Sequence, residues 1–577
     1  MATVPPVTQE TPSHGARAGG AESRVDIPAS PRWVARTFVI AALAYVAFAI
    51  IATIVVSPRV PFADAWRHYE HLLTVPFPGS VLAADNGHPE VFANLVRYAS
   101  LHWLRGSEGM QIAIGLLLAL ATLGTLLQIV WRTRQVSLAG RAAAAFVLTL
   151  GVCWLGNARG LLHDYESLQI YSVLLCLAAA LSLLLRAGKP APASLLRVAA
   201  ATAVCFIASF NFGSGIASFG ALLVLLFVQR APRSRFYVVV VGLVLAAVCY
   251  RLLDGSDGRL MLRAWTQADI ALRWLAAPLI YLFWPFVDPG VAATLPYPLF
   301  HAGSIARVWT AVFGNVYLNV ILQAAAGAAL TTTIVFATLQ ARRRHESTND
   351  IVRLGLALAW FALGVAVLVA LVRTSYFIAL PSQVYAPQYL PWSSLAWAGL
   401  LLALVAQSPS RARLVVVAAV GLFSLAAELA MTQVMRDKRN DAEETALAAV
   451  VGVWPEADGR SENDPRETRA AAHALQHAQV GPFAWPEAAL IGQSVPTEAT
   501  ERAVSWLDIR RATADITSEA IRLKGAVKDA SCSRLLVVAE GRVIGLLRHE
   551  QQDLWSGAAI NAPLRTPLLV FDSCNVR

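Results

Sequence analysis

The sequence predicts a mainly α-helical, polytopic membrane protein with about 11 transmembrane helices, followed by a C-terminal α+β or β-sandwich-like domain. Two observations support this fold class. Hydrophobic residues make up 56% of the 577-residue chain and charged residues only 15%, with a mean hydropathy of +0.54. The apolar residues also form repeated runs of about 18–25, the length that crosses about 30 Å of hydrocarbon.

The chain divides into a tail, a membrane domain and an outer domain. Residues 1–33 are rich in Pro, Gly, Ser and Ala, which predicts a disordered cytoplasmic tail. The transmembrane domain covers 34–432, and its first outer loop covers 57–109. Spans are predicted near 34–56, 110–130, 141–155 and 168–185, twice within 194–228, and near 236–252, 309–339, 353–372, 390–406 and 414–431.

The distribution of arginines predicts the orientation of these spans. Arg clusters recur in alternate loops, and basic loops face the cytoplasm. This pattern predicts a cytoplasmic N-terminus and a C-terminal domain outside. The excess of Arg over Lys, with much Ala, suggests a GC-rich bacterial genome, so the expected location is a bacterial inner membrane with the C-terminal domain in the periplasm. The segment 270–287 is interpreted as an interfacial or re-entrant helix, because counting it as a span would place the cluster Arg342–Arg344 outside. The net charge of +10 is concentrated in these loops, so membrane lipids are the expected partner and nucleic acid is not.

Residues 433–577 are polar and contain no run long enough to span. Helical periodicity extends to about residue 493, and the part from about 500 to 577 is β-rich. The predicted helical stretches are Glu443–Val451 and Glu467–His477. The predicted strands are Arg534–Glu540, Arg542–Leu547 and Leu568–Phe571, with a hairpin at Gly541.

The six cysteines fall into two groups. Cys532 and Cys574 are alone in the outer domain, where the compartment is oxidising, so a disulfide is predicted, with two free thiols as the alternative. The other four lie in or beside spans and are expected to pack as small apolar residues: Cys153, Cys176, Cys205 and Cys249.

The first outer loop concentrates titratable groups that the flanking apolar runs lack. Asp64 and Trp66 follow the first span closely, and Asn86, His88 and Glu90 follow a Pro/Gly-rich piece. The next stretch, 89–104, has apolar residues at helical spacing, which predicts a helix lying on the membrane surface. A carboxylate held just outside the bilayer could act on the head group of a lipid-linked substrate.

This loop resembles that of the GT-C class of membrane glycosyltransferases. The FADAW stretch with Asp64 is similar to the Asp that follows their first span, and NGHPE is similar to their Asn-x-His element. Further similarities are the FNFGSGIASF stretch, Arg373, Tyr389 and the β-rich tail from Val504. The chain departs from the family pattern at Gly87, at Pro89 and in the Pro-Gln-Tyr of 387–389, where an acidic residue, an Arg and a Ser-Arg-Tyr element are expected.

The resemblance implies transfer of a sugar from a polyprenyl-phosphate donor to a periplasmic glycan or lipid acceptor. Asp64 would be the general base, with helix N-capping as its alternative role. Arg373, Arg307 and His88 would bind the donor phosphate, with headgroup anchoring as the alternative for the arginines. The substrate cavity would be lined by Trp66, Asn86, Glu90, His163, Asp164 and Tyr389. For His88 and Glu90 the alternative is a hydrated turn, for His163 and Asp164 it is a salt-bridged cap, and for Tyr389 it is an aromatic belt at the membrane interface.

No cofactor or metal is predicted. The loop lacks a D-x-D pair, and His68 and His71 do not have the spacing of a zinc site. The spans are nearly free of ionisable residues, which favours an enzyme at the membrane surface over a transporter. Three other classes stay open: a transporter or flippase of lipid-linked glycans, a polysaccharide polymerase or ligase, and a scaffold whose outer domain binds glycan.

Overall fold

The computed structural model describes most of the chain. The described residues are 32–185, 193–254, 263–283, 316–345, 347–407, 410–454, 465–514, 520–528, 530, 532–560 and 567–572. They are mainly helical, with a β-sheet in the C-terminal part. Almost all of the predicted N-terminal tail, together with Arg307 and Cys574, lies outside the described residues.

The helices are numbered here in chain order. They are α1 (Arg32–Val56), α2 (Ala65–Thr74), α3 (Gly79–Leu82), α4 (Val91–Trp103), α5 (Glu108–Arg132), α6 (Leu138–Cys153), α7 (Ala158–Leu162), α8 (Asp164–Leu184), α9 (Leu195–Ser209), α10 (Ala217–Val228), α11 (Arg233–Asp254), α12 (Ala264–Phe283), α13 (Val316–Arg343), α14 (Asp350–Ala379), α15 (Leu390–Gln407), α16 (Arg411–Val451) and α17 (Pro465–Ala478).

Eight of the described helices are long and apolar enough to cross a membrane. They are α1, α5, α8, α11, α13, α14, α15 with the turns that precede it, and α16. The other three predicted spans correspond to α6, α9 and α10, which with adjoining turns are apolar helices of 10–17 residues. A straight span needs about 20 residues, so the count of 11 stays a prediction, while a multi-pass membrane protein is indicated. Helix α12, which covers most of the predicted interfacial segment, is not among the eight.

Small residues allow the membrane helices to approach closely. Helices α14 and α15 cross at two glycines: a Cβ on Gly355 would lie 2.4 Å from the Gly399 carbonyl oxygen, and one on Gly399 would lie 2.3 Å from that of Gly355. Glycine is therefore needed at both positions.

The outer domain contains one antiparallel sheet that forms a half-barrel. Its strands are β3 (Val453–Trp454), β4 (Thr500–Arg502), β5 (Val504–Ala514), β6 (Ala520–Val527), β7 (Arg534–Ala539), β8 (Arg542–Gln551), β9 (Leu554–Ile560) and β10 (Leu569–Asp572), in the order β3-β5-β6-β9-β8-β7-β10-β4. The described strands of this domain thus form a single sheet, whereas the predicted sandwich would need two. The β7–β8 hairpin is confirmed, with Glu540 and Gly541 at φ angles of 52° and 75°. Two consecutive positive φ angles are typical of a tight hairpin turn.

Helix α16 connects the membrane domain to the outer domain without a break. It has 41 residues, so the predicted boundary at 432/433 falls inside it. The predicted helical stretches are confirmed at its C-terminal end and in α17. Among the cysteines, Cys153, Cys176, Cys205 and Cys249 are free. Cys532 is disulfide-bonded, and because its predicted partner Cys574 lies outside the described residues, the pairing itself stays a prediction.

The first outer loop packs under the outer domain. Phe62, Trp66 and Tyr69 belong to one buried apolar cluster with Leu447 of α16 and Leu536 of β7. The helix predicted over 89–104 is confirmed as α4, whose buried face includes Ala93, Arg97 and Leu101, while Leu95 and Trp103 are 44% and 77% exposed. The loop is therefore enclosed on one side by the outer domain, and the contact of α4 with lipid stays a prediction.

We expect Gly106→Ala to weaken this docking. Gly106 has a φ of +73°, and a Cβ there would lie 2.8 Å from the backbone nitrogen of Gly481, which donates a hydrogen bond of 2.7 Å to the Arg105 carbonyl oxygen. An alanine in the left-handed region costs about 1–2 kcal/mol before any displacement of Gly481 is counted. Thermal unfolding of the detergent-purified protein would measure the loss. The matched control is Gly109→Ala, where the nearest atom would be 3.4 Å away; equal unfolding temperatures for the two variants would contradict the expectation.

Candidate functional site

A cavity lies where the first loop, predicted to be outside, meets the adjacent ends of several membrane helices. Its empty volume is about 1130 Å³, counting the part open to solvent. The lining comes from the first loop, the start of α8, the turn before α10, the end of α11, the last turns of α14 and the start of α15. Six predicted site residues line it: Asp64, Asn86, His88, Glu90, Arg373 and Tyr389.

Three other predicted cavity residues lie elsewhere. Trp66 is fully buried in the core shared with the outer domain, since it follows Asp64 by two positions and points to the opposite side of α2. The His163 ring packs edge-on against Phe62 at 4.7 Å between ring centroids. Asp164 is 1% exposed and interacts with Glu108. These placements differ from the prediction because sequence proximity to the loop does not fix the direction of a side chain.

Asp64 precedes α2 but does not cap it. Its side chain makes no hydrogen bond to the first turn of the helix, so the alternative role as an N-cap is not supported. The carboxylate is 45% exposed, and its ion-pair partner is the Arg67 Nη1 atom at 3.5 Å. The other described carboxylates that line the cavity each have an arginine nitrogen within 2.8 Å, whereas the nearest one to Asp64 is 3.5 Å away.

A small hairpin positions the Asn-x-His element. Strands β1 (Ala84–Asp85) and β2 (His88–Pro89) pair antiparallel, and Asn86 and Gly87 form the turn with φ angles of 48° and 77°. An Asn-Gly pair is favoured in such a turn, which explains the glycine at the position where the family pattern has an acidic residue. The His88 Nδ1 atom lies 2.6 Å from the Tyr250 hydroxyl, and that hydroxyl donates to the Gly87 carbonyl oxygen at 2.9 Å. The turn therefore holds the His88 imidazole at the cavity wall.

Glu90 is buried against an arginine rather than hydrated. Its Oε2 atom accepts a hydrogen bond of 2.8 Å from Arg97 Nη1, and the two side chains are 3% and 1% exposed. Arg97 also donates to the Asn94 side chain at 2.8 Å and to the Tyr165 carbonyl oxygen at 3.0 Å. Burial raises the pKa of Glu90 to about 6, against the opposing effect of Arg97. The predicted alternative of a hydrated turn is therefore wrong for Glu90.

Asp85 was not predicted as a site residue, and His68 was considered only as a zinc ligand and rejected. Arg67 forks onto Asp85, with Nε to Oδ1 at 2.8 Å and Nη2 to Oδ2 at 2.9 Å. Burial would raise the pKa of Asp85, but the hydrogen bonds from Arg67 lower it to about 2. Burial, together with the charge of Arg97, holds the pKa of His68 well below its usual range, so its imidazole is neutral at pH 7. The sequence did contain a signal for His68: it follows Asp64 by four residues, and this spacing places both side chains on one face of a helix.

Two arginines line the cavity, Arg159 from the short helix α7 and Arg373 from the membrane helix α14. Arg159 is held by neighbours: its Nε atom lies 2.7 Å from Glu166, and it donates to the Gln388 and Tyr165 side chains at 3.0 Å each. Arg373 lies over the Tyr376 ring at 5.8 Å from its centroid and forms no ion pair within the described part of the chain. Arg373 is therefore a cation in the cavity that a bound anion could neutralise.

No protein-family model matches this chain, and no curated protein sequence matches it significantly. The resemblance to the GT-C class therefore rests on the residues quoted above.

We expect Arg97→Ala to destabilise the protein strongly. The substitution leaves the Glu90 carboxylate buried without its cation, which typically costs about 3–5 kcal/mol. The free energy of unfolding in mixed detergent micelles would measure it. The double variant Arg97→Ala/Glu90→Gln should recover part of the loss, because it removes the unpaired charge. Arg436→Ala, at an exposed position on α16, is the control; a loss no larger than that of the control would contradict the assignment.

Proposed function

We propose that this protein is a membrane glycosyltransferase that moves a sugar from a polyprenyl-phosphate donor to a hydroxyl group of a glycan or lipid acceptor. One observation carries the proposal: Asp64 and Arg373 line the same cavity although they are far apart in sequence. The Asp64 carboxylate is half-exposed with its arginine partner at 3.5 Å, and Arg373 forms no ion pair with any of the described residues. A base for the acceptor and a cation for the leaving phosphate are the two groups that such a transfer needs.

In the proposed reaction Asp64 accepts the proton of the acceptor hydroxyl as its oxygen bonds to the anomeric carbon of the sugar. The bond between that carbon and the phosphate oxygen breaks, and the electron pair leaves with the polyprenyl phosphate. Arg373 stabilises the negative charge that grows on this phosphate. The proton on Asp64 then passes to solvent, which restores the carboxylate. Attack from the face opposite the phosphate inverts the anomeric configuration.

The other residues of the cavity have positioning roles in this proposal. His88, held by the Tyr250 hydroxyl, and Arg159, held by Glu166, offer further contacts to the donor phosphate. Tyr389 and Trp392 present aromatic surface to the cavity, which suits stacking on a sugar ring. Asn86 offers an amide group at the hairpin turn.

A second cavity supports a lipid-linked donor. It lies between α12 and α13, has an empty volume of about 1380 Å³ counting its open part, and is mostly apolar. Its lining includes Leu279, Ile280, Phe283 and Leu322, together with Tyr385, four residues before Tyr389 of the first cavity. An isoprenoid chain lying in this groove would bring its phosphate toward Arg373. The proposal places both cavities at the periplasmic side of a bacterial inner membrane, with the N-terminus in the cytoplasm.

The first test is Asp64→Asn. Loss of a general base typically lowers the rate by about 10²–10⁴, and we expect this drop in the release of free polyprenyl phosphate from a panel of polyprenyl-phosphate pentoses and hexoses offered with cell-envelope acceptors. Glu70→Gln, on the same helix but outside the cavity lining, should retain the wild-type rate. Transfer by Asp64→Asn at the rate of this control would exclude Asp64 as the base.

The second test concerns Arg373. Arg373→Lys retains the charge but loses the bidentate fork, so donor binding should stay within roughly tenfold while kcat falls on the order of 10². Arg373→Ala should weaken both. Normal transfer by Arg373→Ala would leave this residue as a headgroup anchor. Wild-type protein that moves lipid-linked sugar across proteoliposome membranes, and transfers none to any acceptor, would show a flippase instead.

A further inference from the structure

Three side chains of the first loop converge at one wall of the cavity. The His68 Nε2 atom lies 3.8 Å from Asp85 Oδ2 and 4.0 Å from Glu90 Oε2, and the three potential ligand atoms lie within 4.8 Å of one another. His68 and Glu90 are 5% and 3% exposed, and Asp85 is 21% exposed. Glu90 accepts a hydrogen bond from Arg97, but no direct hydrogen bond joins the buried His68 imidazole to either carboxylate.

The charges around these side chains are unequal. Asp64, Asp85 and Glu467 are all ion-pair partners of Arg67, while Glu90 is the partner of Arg97. Of these carboxylates, Asp64, Asp85 and Glu90 line the cavity, and Glu467 does not. Within the described part of the chain, three carboxylates of this wall thus share two guanidinium groups, one of which also binds Glu467, so a cation bound here would meet an excess of negative charge.

We propose that His68, Asp85 and Glu90 bind one divalent transition-metal cation, with its remaining coordination positions facing the cavity. Bonds of about 2.1 Å in tetrahedral geometry require ligand atoms about 3.4 Å apart. The distances from His68 to Asp85 and to Glu90, 3.8 Å and 4.0 Å, would shrink by about 0.5 Å, and the distance between the two carboxylates, at most 4.8 Å, by no more than about 1.4 Å. The site stands independently of the proposed glycosyl transfer, because its ligands and its charge imbalance belong to the protein alone.

The two arginines that contact the carboxylates are compatible with a metal. Each carboxylate oxygen has two lone pairs, so Asp85 Oδ2 and Glu90 Oε2 can accept from arginine and also coordinate a cation. Hydrogen bonds of this kind orient metal ligands in many sites. The imidazole nitrogen favours a transition metal such as Zn²⁺ over Mg²⁺ and Ca²⁺, which prefer oxygen ligands, and Mn²⁺ serves as a weaker-binding paramagnetic probe of the same site.

The test uses full-length protein, purified without a histidine tag and stripped with a chelator. Titration calorimetry with Zn²⁺, Mn²⁺ and Mg²⁺ should show one equivalent of Zn²⁺ or Mn²⁺ bound and much weaker binding of Mg²⁺. Pulsed electron paramagnetic resonance of the bound Mn²⁺ should show coupling to a single imidazole nitrogen. Absence of binding by the wild-type protein, or bound Mn²⁺ without nitrogen coupling, would overturn the proposal whether or not any variant folds.

The variants locate the ion. His68→Gln should abolish the nitrogen coupling and weaken binding by at least about 100-fold, since changes in outer-shell partners alone cost about 10–100-fold. Glu90→Gln should weaken binding and leave the coupling of any residual ion unchanged. His71→Gln, one turn further along α2 and outside the cluster, is the matched control and should bind as wild type does. An unchanged nitrogen signal in His68→Gln, or its loss in His71→Gln, would place the ion elsewhere and overturn the proposal.

Discussion

The candidate site depends on the way α2 is held between two parts of the molecule. One face of this helix places Trp66 and Tyr69 in the core shared with the outer domain, and the other face presents Asp64 and His68 to the cavity. Arg67 lies between these faces and joins Asp85 of the first loop to Glu467 of α17. Because three carboxylates converge on one guanidinium, the position of the outer domain and the geometry of the cavity wall are linked.

Two further sets of interactions fix the rest of the cavity wall: a buried ion pair and a hairpin turn. Arg97 and Glu90 neutralise each other away from water, and the carbonyl oxygen of Tyr165 ties this pair to the start of α8. The Asn86–Gly87 turn adds a second fixed point through Tyr250 of α11. Fixed polar groups that face an open volume are what a preorganised binding site requires.

Much of the helical architecture could be predicted from sequence, because long apolar runs and basic loops report directly on membrane spans. The segments predicted as spans are helical where the structure describes them, and the β7–β8 hairpin follows from Gly541 between two apolar runs. Six cavity residues were also predicted. Two features could not be predicted. The burial of Trp66 depends on the docking of α2 against the outer domain, and the approach of Asp85 to His68 depends on a hairpin whose strands have only two residues each.

With the span placed as predicted, the continuous α16 helix would set the distance between the outer domain and the lipid. The predicted span ends near Met431, and about 20 further residues, or about 30 Å of helix, lead to its end at Val451. Ion pairs from Glu443 and Glu444 to Arg548 and Arg522 fasten this upper part to the sheet. Because α16 is one continuous helix and the sheet is fastened to its upper part, we expect the sheet to follow any change in the tilt of the lower half of α16 in a bilayer.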